Sequence, residues 1–294
     1  MKIHQLSKKI IIPGFKGLSI HQVSMFFYKG LIEGAITTRA SSLAFNFFLA
    51  FFPSILVLFT LIPFVPIEGF QEQLFILIMD ILPPSTYEAT KSTVDNIINH
   101  EQGGLLSLTF ILAVYFSTNG INAMISGFNS TFHHTDTRSW YQLRILSLTL
   151  TILLALLLIL TITFLLFSKE FMDNLVSIGY LEQYSANIIL YAKWFALIIV
   201  LFLSISLIYY YGPDYNSRIN FISPGSISAT LLSIITSIGF NYYISNFGQY
   251  NQLYGSIGTL LIILLWMYFN SIILLLGFEL NASIVSAKQT KFND

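Results

Sequence analysis

YNQLYGSIGTLLIILLWMYFNSIILLLGFELNA, residues Tyr250 to Ala282, is the stretch on which the fold turns. From Leu260 to Phe278 it holds no charge. At about 1.5 Å of rise per residue, that run is nearly enough helix to cross a hydrocarbon core of about 30 Å. Gly255 and Gly258 stand in its lead-in, where small residues let another backbone approach closely. Glu279 and Asn281 mark its far end, where apolar surface is expected to give way to an aqueous boundary.

The rest of the chain agrees with a membrane reading. Of 294 residues, 55% are hydrophobic and 10% are charged, and the mean hydropathy is +0.72. So little polar surface could not cover a soluble globule of this length. The expected fold is all-α: a polytopic membrane protein with six transmembrane helices and additional amphipathic, interfacial helices. With no cysteine, the chain has no disulfide, thiolate metal site or cysteine nucleophile. Its net charge of zero argues against a general nucleic-acid binder.

Residues 1–19 read as a polar tail, and residues 20–38 as an amphipathic helix with Gln22, Lys29 and Glu33 on one face and Val23, Phe27 and Leu31 on another. That helix either lies in the membrane interface or packs on the rest of the protein. A membrane domain follows over 39–283, with spans at about 40–65, 104–128, 145–167, 188–211, 223–244 and 253–278, and then a second tail over 284–294. Pro53 lies inside the first span, where a kink is expected. The helical loop 66–103 is too broken by Pro83-Pro84 to cross; a capping box from Ser85 to Glu88 opens its second segment.

Charge orients the spans. Eleven Lys and Arg fall in the segments on the side of the termini, against three on the other side, Lys91, Lys169 and Lys193. That asymmetry predicts both termini in the cytoplasm and the 66–103 loop in the periplasm.

Three segments carry a family resemblance: the C-terminal block quoted above, RASSLAFNFFLAFFPSIL from Arg39 to Leu56, and the Y-x-x-x-P of Tyr209 to Pro213. Together they resemble the YihY/BrkB family of bacterial inner-membrane proteins, formerly labelled ribonuclease BN. The resemblance covers roughly residues 20–283 and implies a six-helix inner-membrane protein of unestablished activity.

Polar residues inside the spans fall in stripes. Arg39, Ser42, Asn46 and Pro53 share a face of the first span; Asn119, Asn122, Ser126 and Asn129 share one on the second; Ser226, Thr230, Ser233, Ser237 and Asn241 follow on the fifth. These faces are expected to avoid lipid. Arg39, Asn46, Asn119, Asn122 and Glu279 are the candidates to line a polar cavity open to the cytoplasm. The same side chains could instead hold helices together, Glu279 pairing with Arg39. Ser233, Ser237, Asn241, Gly255 and Gly258 are read as packing positions, and Lys193 as an intramembrane charge near enough to the headgroups to snorkel.

Catalytic sets are not visible. All five histidines lie outside the spans and none has metallohydrolase spacing. Gly225-Ser226 and Gly255-Ser256 have no histidine within a span to activate them, and no P-loop is present. The expectation is therefore a membrane protein that is not an enzyme, needs no cofactor or metal, and takes membrane lipid or an envelope precursor as substrate or partner. A homo-oligomer is compatible with the glycines. The alternative is a structural scaffold of the envelope.

Overall fold

In a computed structural model the chain is described over residues 14–15, 17–61, 103–131, 137–177, 185–214, 219–247 and 256–293. Among the described residues it is all-α, with helices α1 (Ile20–Glu33), α2 (Ile36–Leu61), α3 (Gly103–Thr131), α4 (Trp140–Ser177), α5 (Ser185–Tyr211), α6 (Pro224–Phe247) and α7 (Ser256–Asn293). Six of them are long and apolar enough to cross a membrane: Ile36–Val57, Gly104–Thr131, Trp140–Phe164, Tyr191–Tyr211, Pro224–Ile244 and Leu260–Lys288. Residues 66–102 of the expected loop, with its capping box, and Gly255, His133 and His134 lie outside the described residues.

The chain divides into two compact bodies, residues 1–45 with 121–294, and residues 46–120. In the first, α7 packs on α6 and α1, α5 packs on α6, and α4 packs on α5. In the second, Phe47 of α2 lies against the backbone of Gly120 on α3, and Phe48 and Phe52 meet edge to face. There α2 runs through Pro53 without interruption, and the Ser54 hydroxyl donates to the Ala50 carbonyl at 2.8 Å in the turn next to the missing proline N–H.

The amphipathic segment is shorter than its sequence pattern suggests. Ser19 and Gln22 close a capping box that starts α1. The helix then stops at Gly34, whose N–H donates to the Gly30 carbonyl at 2.8 Å. Ala35 follows with φ +43°, so Ile36 to Arg39 belong to the first spanning helix. One face of α1 packs through Val23 against Leu18, Ile284 and Ala287, while Met25, Tyr28 and Ile32 on another flank stay exposed. Helix α7 outruns its expected end and stays helical to Asn293; beyond that expected end, Ile284 and Ala287 pack against Val23 of α1.

Candidate functional site

Arg39 and Glu279 meet. The guanidinium Nη2 lies 3.7 Å from Glu279 Oε2, with the two side chains 11% and 4% exposed. Nη1 donates to the Gly127 carbonyl at 2.7 Å and to the Thr131 hydroxyl at 2.8 Å, in the last turns of α3, where the helix dipole favours a cation. Gly30 of α1 sits directly on the Glu279 carboxylate, and a Cβ there would collide with it. Glu279 is thus buried rather than at an aqueous boundary as the sequence pattern suggests, because α1 lies over it. A charge pair this enclosed is a packed junction of α1, α2, α3 and α7, in which each ion makes the other tolerable.

Two turns of α7 around this pair also make close contact with the start of α6. A Cβ on Gly225 would run into the Gly277 carbonyl and the Asn281 side chain, and one on Gly277 would meet Tyr209, Ala229 and Gly225. Backbones approach this closely only where both helices offer small residues. Asn281 then completes the junction: its Oδ1 accepts from Gly225 N–H at 2.8 Å and its Nδ2 donates to Ser223 Oγ at 2.9 Å. The first of these bonds satisfies an N–H in the first turn of α6, where the helix itself offers no acceptor. Tyr209, fully buried, donates its hydroxyl to the Leu274 carbonyl at 2.6 Å. Its ring meets Phe278 and Phe128, and the last two stack at 4.2 Å. The tyrosine of the Y-x-x-x-P motif is therefore a core bolt.

Just beyond that motif, Asp214 gathers a clasp that sequence reasoning missed. Its Oδ2 accepts from Thr137 N–H at 2.6 Å and Thr137 Oγ1 at 2.8 Å, and Arg138 Nε approaches Oδ1 at 3.7 Å. Arg138 also donates to the Gly212 carbonyl at 3.0 Å, and Asp214 N–H donates to Asn129 Oδ1 at 2.9 Å. The start of α4 and the ends of α3 and α5 are joined here. The one available signal was the acid placed directly after Gly212-Pro213.

A different feature occupies the other half of α7. A cavity of about 440 Å³ opens between three spans, walled by Ser41 and Phe45 of α2, Tyr243 of α6, and Leu261, Leu265 and Tyr268 of α7. Among the described residues, its lining holds no carboxylate, amine, imidazole or guanidinium. Ser41 turns its hydroxyl back to the Thr37 carbonyl at 2.9 Å, which leaves the wall largely hydrocarbon and aromatic.

The five residues expected around one polar chamber are distributed as follows. Arg39 and Glu279 pair; Asn122, in the same body, is half-buried on α3, and Arg39 bonds nearer the end of that helix instead. Asn46 and Asn119 belong to the second body, both half-buried. None of the five lines the 440 Å³ cavity. On α6, Ser226, Thr230 and Ser233 are buried, whereas Ser237 and Asn241 are exposed, as are Ser42 on α2 and Ser126 on α3. Neighbouring helices among the described residues therefore cover only part of each stripe. A helical hydroxyl can bond the carbonyl one turn back, as Thr149 does to Ile145 at 2.9 Å, so exposure costs it little. Gly258 is buried in the first turn of α7, and Lys193 is half-buried on α5.

The family model described as virulence factor BrkB matches residues 27–294. A relative from Bacillus subtilis (strain 168), which carries the name ribonuclease-like protein YfkH, is 28% identical over 258 residues, 86% of this chain and 91% of that protein. A UPF0761 membrane protein of Idiomarina loihiensis is 23% identical over 220 residues, covering 74% of this chain and 72% of its own. A UPF0761 membrane protein of Xanthomonas campestris pv. campestris (strain B100) is 37% identical over 83 residues, 28% of this chain and 20% of that protein. No solved structure matches the chain.

Proposed function

The chain belongs to the virulence factor BrkB family of membrane proteins, and from that premise we propose that it binds and moves a lipid-like amphiphile of the cell envelope. The observation that carries this reading is the cavity of about 440 Å³, walled by three membrane spans and lined almost entirely by apolar groups. A site of that size and lining suits a small hydrophobic ligand, for which pockets of about 300–1,000 Å³ are usual. In this reading the protein sits in the inner membrane with both termini in the cytoplasm. In this reading it is not an enzyme: among the described residues the buried Arg39 and Glu279 pair with each other. The ribonuclease-like name belongs to the relative; purified protein is expected to leave RNA intact.

Reconstitution tests the reading. Proteoliposomes should redistribute a labelled phospholipid between leaflets faster than empty vesicles, and rates equal to empty vesicles would sink the transport half of it. A scaffold role is favoured by one further observation: Arg39, Glu279, Asn281 and Asp214 all find their partners within the chain. Cross-linking in cells that captured a stoichiometric envelope partner, together with inactive vesicles, would select that second reading.

A further inference from the structure

We propose that the cavity between α2, α6 and α7 holds a single hydrocarbon chain of a bilayer lipid, entering from the leaflet next to the start of α7, and that the lipid headgroup stays outside. This inference rests on the amphiphile reading and narrows it to a tail site.

The lining excludes a headgroup. A phosphate or ammonium buried against Phe45, Leu261 and Leu265 would meet no counter-charge, and an unpaired ion in such surroundings is strongly disfavoured. The volume suits a slender occupant: a cavity of about 440 Å³ falls in the usual range for a small ligand, and a helix of a second copy is one of the outcomes that the test below separates. A thin, extended aliphatic chain fits, and the surrounding bilayer supplies it at every moment. Because bilayer hydrocarbon is as apolar as leucine, binding cannot come from leaving water; it comes from close contact with a fixed wall.

Position gives the direction of entry. Tyr243 lies at the end of the α6 span Pro224–Ile244, and Leu261 at the start of the α7 span Leu260–Lys288. Tyr268 lies two turns deeper along α7. The neighbouring Tyr242 is exposed, as a residue at the headgroup level would be. A chain whose carboxyl end rests near Tyr243 and Leu261 therefore has its methyl end near Phe45 and Tyr268.

The test uses the full-length protein in phosphatidylethanolamine and phosphatidylglycerol vesicles. The probe is a phospholipid bearing a diazirine at the methyl end of one acyl chain, with cross-linked residues mapped by mass spectrometry. Labelling should concentrate on Phe45, Leu265 and Tyr268, and moving the diazirine close to the ester should shift it to Tyr243 and Leu261. A headgroup diazirine should leave all five unlabelled. Leu265→Trp should reduce cavity labelling at least fivefold without lowering the melting temperature, and Leu261→Trp at the mouth provides the same test if the first variant does not fold. The proposal is overturned by labelling no denser than on the exposed Leu156 and Leu160 of α4, by indifference to both tryptophans, or by a photoreactive residue at position 265 capturing residues 66–103 or a second copy instead of lipid. Labelling without lipid redistribution would retain the tail site and discard transport, whereas redistribution unaffected by either tryptophan would do the reverse.

Discussion

Along α7, the turns from Gly277 to Asn281 and the turns from Leu261 to Tyr268 face their neighbours in opposite ways. In the first set Gly277, Phe278, Glu279 and Asn281 are all buried, and a neighbouring glycine lies at each of three contacts: Gly225 on Gly277, Gly225 on Asn281 and Gly30 on Glu279. In the second set Leu261 and Leu265 are exposed, no glycine is opposite them, and a cavity opens. The difference lies in side-chain size and polarity. Glycines bring two backbones together, and the polar groups between them then fix a single register, since a misplaced charge or amide has no partner in hydrocarbon. Branched aliphatics hold helices further apart and impose no register, so an apolar gap there can stand open at little cost. One end of this helix is locked, and the other borders an open cavity.

The comparison can be broken by loosening the locked end. Glu279→Ala leaves Arg39 enclosed without its counter-charge and should destabilise the protein by about 3–5 kcal/mol, read as loss of thermal stability in detergent. Adding Arg39→Met should return most of it; if the double variant is no better than the single, the pair is not a coupled unit. Gly225→Val adds a side chain where the Gly277 carbonyl already stands. It is expected to cost about 3 kcal/mol, toward the upper end for overpacked contacts. Asn281→Leu removes both bonds at the start of α6 and should cost about 1–2 kcal/mol, a typical penalty for a lost helix cap.

Two smaller effects sharpen it. Ala35 holds a left-handed backbone at φ +43° between α1 and α2, so Ala35→Gly should stabilise the protein by about 1 kcal/mol, seen as a rise in melting temperature. At the open end, Leu261→Trp should leave melting unchanged within about 0.5 kcal/mol while removing chain-end labelling. A large loss of stability there would mean that this end is locked as well.

Hydropathy was enough to read the all-α class and the six spans, because crossing hydrocarbon requires long uncharged helices, a demand that acts on each segment by itself; the family resemblance came instead from three short segments, the C-terminal block, Arg39 to Leu56 and the Tyr209 to Pro213 motif. The pairing of Arg39 with Glu279 was legible as one of two alternatives, since two opposite charges at one end of a membrane domain have few other ways to be buried. Tertiary structure decided the rest. The spacing of Ser226, Thr230, Ser233, Ser237 and Asn241 marks a helix face, yet only the neighbouring helices determine that the first three are covered and the last two are not. Asp214 and Asn281 look ordinary in the chain and become junctions through partners 77 and 56 residues away. The cavity was invisible for the same reason: Leu261 and Leu265 lie in an uninterrupted apolar run that marks no face, and a gap between helices is a property of how far apart three helices stand, which no single segment encodes.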